Sequence, residues 1–281
     1  VKNKQRYITL PETWDELTEA DWREVLKIRH LVATTDHAWT VEDVRIGTAR
    51  AMLQNRGVRQ QLNNGQWLML VSQLAKSLDW LWKADEDHLS LVYRSTVNLL
   101  PNAGRWLGPL SHGEDLVFGE FRQAITHLKN YETDQNHTAL CALAGLLYRP
   151  EASKEMKRER QLRRQPYDWD DIEQKIRRGQ GMKPWQVWGI YAWFAFFCEH
   201  LTTGTFIIEG QEVCFSPIFR SQESGSGSRD SEGGMQQICL TLAESHVFGT
   251  AKDVDNTPLL TVMQKLLMDY NTLQKLKNKK I

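Results

Sequence analysis

The run Lys183-Pro184-Trp185-Gln186-Val187-Trp188-Gly189-Ile190-Tyr191-Ala192-Trp193-Phe194-Ala195-Phe196-Phe197-Cys198-Glu199-His200 is helix-length and almost without polar positions. Trp185, Trp188, Ile190, Tyr191, Trp193, Phe194, Phe196 and Phe197 place large side chains on every side of it, and such a helix has to be covered by protein or by lipid. It falls short of the roughly 20 predominantly apolar residues needed to span a bilayer, and Lys183, Glu199 and His200 stand at its ends. A helix buried in protein is therefore predicted, with Pro184 at its first turn, where a missing N–H costs nothing. This segment sets the fold class as mainly α.

Working outward from it, Gly179 and Gly181 free the chain ahead of the aromatic helix, and Asp168 is placed to cap a helix running to Arg178. On the far side, Thr205-Phe206-Ile207-Ile208, a turn at Glu209-Gly210 and then Val213-Cys214-Phe215 predict one β-hairpin over about 205–215. Earlier in the chain, Arg6 to Leu10 reads as extended. Thr18 with Asp21 three residues on signals a helix start, and a second helix follows Thr40 up to Gly57. Leu68, Val71, Leu74, Ala75, Leu78, Leu81 and Trp82 recur at spacings of three and four, which predicts a helix over 66–82 after the break at Asn63-Asn64-Gly65. Pro101, Gly104, Gly108 and Pro109 make 85–113 loop-rich, with Trp106 at the surface. Helical spacing returns over 116–131 and again over 138–148, where Arg149-Pro150 ends the ladder.

Residues 151–165 are nearly all charged and read as a solvated helix or an excursion without fixed structure. Residues 221–234, rich in Ser, Gly and charge, read as a linker. Two helices are predicted beyond it, 236–248 and 257–277, the second with Pro258 in its first turn and lysines near its end. The organisation expected is a helical body over 1–219 with a sub-boundary possible in 151–166, a linker over 220–235 and a C-terminal helical segment over 236–281.

Composition excludes several classes. The 281 residues are 41% hydrophobic and 25% charged, enough for a substantial core or two, and 35 basic residues balance 35 acidic ones. The chain as a whole therefore has no long-range field to collect nucleic acid or an anionic membrane. Cys141, Cys198, Cys214 and Cys239 lie far apart, without CxxC spacing, and read as buried thiols of a reducing compartment. With no apolar leader-like stretch in Val1 to Leu10, the expected location is the cytoplasm.

Catalytic chemistry is hard to find. Gly225-Ser226-Gly227-Ser228 lacks the flanking strand and helix of a phosphate loop or nucleophile elbow. Asp168, Asp170, Asp171 and Glu173 form a turn of carboxylates able to hold a hard cation, yet acids also collect at helix starts because they oppose the dipole. Asp85, Glu86, Asp87 and His88 read as a solvated turn. No pair of histidines has the spacing for zinc, and Cys198 and His200, two apart on a helix, point in different directions. No cofactor, metal or catalytic residue is assigned, and the prediction is a non-enzymatic protein. The basic segment 154–178 supports the alternative of a nucleic-acid-binding accessory protein, although interspersed glutamates and the lack of interleaved aromatics weaken it. An unrecognised hydrolase or nuclease is the third reading.

Three stretches carry a family resemblance: Leu10-Pro11-Glu12-Thr13-Trp14-Asp15-Glu16-Leu17-Thr18; Phe118-Gly119-Glu120-Phe121 leading to Leu143-Ala144-Gly145-Leu146-Leu147-Tyr148-Arg149-Pro150; and Phe206-Ile207-Ile208-Glu209-Gly210. With the ending Leu242-Ala243-Glu244-Ser245-His246-Val247-Phe248-Gly249, the chain resembles uncharacterised helical proteins encoded in bacterial prophage tail-assembly modules. The resemblance implies a tail accessory or chaperone-like role in the cytoplasm of the bacterial host, with a protein partner such as a tape-measure or other tail protein, no membrane and no catalytic residues. The aromatic helix and the C-terminal amphipathic helix are then the expected contact faces, through Trp185, Trp188, Trp193, Leu259, Met263, Leu266, Leu267 and Tyr270.

Overall fold

The structure is a computed structural model that describes residues 8–36, 39–58, 63–85, 88–169, 171–223, 231–245 and 247–278. Among these it is mainly α, with twelve α-helices and three separate two-stranded antiparallel sheets. The chain divides into two compact units, one of residues 1–95 with Pro184–Gly189, the other of Thr96–Lys183 with Ile190–Ile281. The division near 95 lies far ahead of the charged segment 151–166.

In the first unit α1 (Glu19–Thr34) begins where Thr18 and Asp21 cap each other: the Thr18 hydroxyl oxygen accepts from Asp21 N, and the Asp21 carboxylate accepts from Thr18 N. Thr40 and Asp43 repeat the arrangement at α2 (Val41–Asn55), and the Asn63 side chain caps α3 (Asn64–Ala75) by accepting from Gln66 N. The helix predicted to reach Trp82 stops short. The Ser77 hydroxyl donates to the Leu74 carbonyl, residues 76–78 tighten into a 3₁₀ turn, and β1 (Trp82–Asp85) then pairs antiparallel with β2 (His88–Leu91). Leu78, Leu81 and Trp82 are buried as their spacing demanded, but spacing alone does not separate a helix from a tighter turn followed by a strand. Trp14, Trp22, Trp80 and Tyr93 form an aromatic cluster with centroids 4.7 to 5.5 Å apart. The fully buried Asp21 receives the Arg56 guanidinium through both oxygens, at 2.6 and 2.9 Å.

The second unit opens with a hairpin, β3 (Asn102–Ala103) and β4 (Trp106–Leu107), turning through Gly104 at positive φ. The stretch 85–113 thus carries strands of two hairpins that its glycines and prolines concealed. α4 (Phe118–Asp134), α5 (His137–Leu147), α6 (Lys154–Arg160) and α7 (Ile172–Gln180) follow. Asp171, not Asp168, caps α7, because its carboxylate reaches Gln174 N. α5 and α7 meet backbone to backbone: a Cβ on Gly145 would stand 1.9 Å from the Lys175 carbonyl oxygen, and one on Gly179 2.0 Å from that of Cys141. The aromatic run is α8 (Pro184–Thr203), whose Ile190, Trp193, Phe194 and Phe197 are buried in this unit against Phe121 and Phe206.

The predicted hairpin is present as β5 (Thr205–Ile208) and β6 (Gln211–Cys214), with Glu209 and Gly210 both at positive φ, the turn whose twist matches its strands. α9 (Ser216–Glu223) and α10 (Ser231–Glu244) both reach into the predicted linker, of which 224–230 lie outside the described residues. A short α11 (Ala251–Asp255) precedes α12 (Leu259–Asn278). The C-terminal segment docks on α4: Phe118 N donates to Thr257 O at 2.9 Å, Leu259 N to Leu116 O at 2.8 Å, and Asp255 receives Arg122 at 2.9 Å through each oxygen. Of the predicted extended start, Arg6 and Tyr7 lie outside the described residues, and 8–10 form no strand.

Candidate functional site: an open helix seam and a buried arginine cluster

The residues expected to meet a partner separate by burial. Trp193 is 1% exposed, lies stacked 5.5 Å from Phe197 and donates its indole N–H to Thr96 O, so its surface is spent within the fold. Leu259 and Met263 are likewise buried, where α12 leaves the body. In this structure these three lie in the core. Trp185 and Trp188 are half-buried, and the Arg29 guanidinium covers the Trp188 ring at 4.0 Å. Leu266, Leu267 and Tyr270 are half-buried as well.

Along α12, positions 259, 263, 266, 270 and 273 follow the alternating four- and three-residue spacing of a helix seam. Its first half is covered, whereas Leu273 is 58% exposed and the flanking Met268 65%. Leu276, one turn on, is exposed too. These three were not among the expected contact residues, although the periodicity continued to Leu273. In the first unit Leu68, Met69 and Leu70 of α3 are exposed, and Leu68 and Met69 line a cleft of about 780 Å³ with Arg45, Lys76 and Asp79.

The basic segment departs most from expectation. Lys157 pairs with Glu151 and Arg158 with Glu159 at the surface, but Arg164 is only 3% exposed. The chain rises through α6 and returns, so that Ala152 N donates to Arg163 O and Gln165 N to Pro150 O, at 3.0 and 2.9 Å. On its other side Arg149 exchanges both backbone hydrogen bonds with Leu107. Two extended arms, near 149 and 164, thereby deliver their guanidinium groups to Glu120 on the first turn of α4, a carboxylate with no exposed surface. Arg149 Nη2 donates to Glu120 Oε2 at 3.1 Å and Arg164 Nη1 to Oε1 at 3.1 Å, while Arg164 Nε reaches Asp115 Oδ2 at 3.1 Å. Arg163 also donates to Asp115 Oδ2 and to the Gly108 carbonyl. A lone carboxylate inside Phe118-Gly119-Glu120-Phe121 was the signal available in the sequence; its partners, 29 and 44 residues away, carried none.

Burial lowers the Arg149 pKa to about 10 against the pull of Glu120, so the group stays charged at neutral pH. Nearby, His127 is driven down to about 4, by burial first and by the Lys175 charge second. Lys175 itself is buried and donates to Gln123 Oε1 and the Trp169 carbonyl, each at 3.0 Å.

The other chemical candidates resolve into structure. Asp171 is a cap, and Glu173 pairs with Arg177 at the surface; Asp170, Glu86 and Asp87 lie outside the described residues, as do the side chains of Asp85 and His88. Among the described residues, no group of three or more His, Cys, Asp or Glu is placed to hold a metal ion. The His200 ring contacts the Thr205 carbonyl and Phe206, and the Cys198 thiol is pushed up by burial. No described helix is long and apolar enough to cross a membrane. No protein-family model, curated protein or solved structure matches the chain.

Proposed function

We propose that this protein works through contacts with other proteins, as a non-enzymatic, chaperone-like accessory of phage or prophage tail assembly. The observation that carries the reading is the seam of α12, which is buried from Leu259 to Met263 and open from Met268 to Leu276. A stripe of this kind has room for a second helix, and each large apolar side chain it covers contributes about 1.5–3 kcal/mol. The partner class that fits is a long helical protein with an apolar face of its own, as a tape-measure protein has, held covered until the tail tube assembles around it. The resemblance described above supplies the biological setting. The alternative nucleic-acid reading has less to draw on, because Arg164 and Lys175 face inward and the surface cations Lys157, Arg158 and Arg177 are paired with glutamates.

The test is co-expression of the full chain with phage tail proteins, a tape-measure protein among them, followed by affinity capture, for the wild type and for a Leu273→Asp, Leu276→Asp double variant. Both positions are exposed, so the variant keeps its thermal midpoint. Capture of a helical tail protein by the wild type and its loss in the variant support the proposal. No retained tail protein, or equal capture by the variant, overturns it.

A further inference from the structure

The arginine cluster is balanced neither in charge nor in hydrogen bonding. Arg149, Arg163 and Arg164 bring three positive charges against the two negative charges of Asp115 and Glu120, and the adjacent Arg122 is neutralised by Asp255. One cation is left over in a cluster where Arg149 and Arg164 are buried and Arg163 is a third exposed. Nor does the geometry use all the donors. Arg149 gives only Nη2 to Glu120; its Nε and Nη1 are buried without a hydrogen-bond partner, as is the Nε of Arg163. A buried donor without an acceptor costs about 1–3 kcal/mol, a cost a protein removes when an acceptor arrives.

Arg149, Arg163 and Arg164 all line one cleft of about 380 Å³, together with Asp115, Gln161 and Tyr167. The Asp115 carboxylate does not repel an incoming anion strongly, because Arg163, Arg164 and the Leu110 N–H already engage it. We infer that this cleft binds a phosphate group, either the free ion or the monoester of a small molecule, against Arg149 and Arg163. Phosphate suits the arrangement better than a carboxylate. The cations come from different directions, Arg149 from the arm that follows α5 and Arg163 and Arg164 from the returning arm, and a tetrahedral oxyanion offers acceptors on several sides where a carboxylate offers two oxygens in one plane. The volume leaves space beside a phosphate for a small organic substituent. This site is independent of the α12 seam, which it does not touch.

The experiment is isothermal titration calorimetry of the full chain with inorganic phosphate and, separately, with phenyl phosphate, at constant ionic strength set with sodium chloride. Saturable one-to-one binding is expected, and Arg163→Gln, which leaves the Glu120 pairs with Arg149 and Arg164 in place, weakens it about tenfold, the loss of one charge-assisted contact worth about 1.4 kcal/mol. Tighter binding of the ester assigns the remaining volume to an organic group; equal binding assigns the site to the ion. A measurement on the wild type alone covers the case in which the variant does not fold: addition of phosphate shifts the Nε–H resonances of buried arginines in a ¹⁵N-labelled sample. Absence of saturable heat and of shifted arginine resonances overturns the inference. So does unchanged affinity in folded Arg163→Gln, or tighter binding of a single-stranded oligonucleotide than of either small anion.

Discussion

The two units each bury a carboxylate against arginine and do so in opposite ways. In the first, Asp21 is closed on every side: it receives Arg56 through both oxygens, accepts from Thr18, and leaves the guanidinium a quarter exposed to water. In the second, Glu120 holds Arg149 and Arg164 with almost no exposure, N–H groups of Arg149 and Arg163 are buried without an acceptor, and the three arginines line a cleft. The first arrangement is complete as a tie between α1 and α2. The second is complete only as the wall of something else, which is why a buried ion cluster is informative when its charges and donors are counted rather than merely noted.

Removing each acid breaks the comparison most directly. Glu120→Ala strands two guanidinium groups in the interior and should lower the unfolding free energy by about 3–5 kcal/mol in urea denaturation; a loss below about 1 kcal/mol would mean that water already solvates the cluster. Acid should act next. The folded pKa of His127 lies near 4 against 6.5 for the free side chain, so between these values the unfolded chain takes up a proton that the folded chain refuses. Stability is fully present above pH 6.5 and falls as the pH drops toward 4, by on the order of 3 kcal/mol. Thermal midpoints across that window check it, and His127→Gln should flatten the slope. Asp21→Ala should cost less than Glu120→Ala, about 2 kcal/mol, because Arg56 can turn to water once its partner is gone. The exposed counterpart at α2 calibrates that figure: Thr40→Ala removes a cap without a buried ion pair and should cost about 1 kcal/mol. If the two substitutions cost the same, the Asp21–Arg56 pair adds nothing beyond capping.

Much of the architecture was legible because it is decided locally. Thr18 with Asp21 and Thr40 with Asp43 announce helix starts within one turn of chain; Glu209-Gly210 announces its hairpin in two residues; and a run with rings on every side has to be buried wherever it lies. The reading failed where two local solutions share one spacing, as at 76–82, or where helices grow into a segment that composition marks as a linker, as at 216–223 and 231–244. For the candidate contact residues, periodicity places Leu259, Met263, Leu266 and Tyr270 on one stripe of α12, but that Leu259 and Met263 are buried while Leu273 is exposed depends on packing that the spacing does not carry.

Of the arginine cluster only Glu120, a lone carboxylate in an apolar stretch, left a signal in the sequence. Charge density in 151–165 announces solvent, and that holds for Lys157 and Arg158; Arg163 and Arg164 differ from them only in lying on the arm that returns to pair with Pro150 and Ala152. Sequence settled what depends on neighbours a few residues away: helix starts, the turn, the necessity of burying the ring-laden helix. Tertiary structure decided which arginines lose their water, because desolvation is a property of the assembled surroundings, and Glu120, Arg149 and Arg164 meet only after α4, the end of α5 and the arm beyond α6 have been brought together.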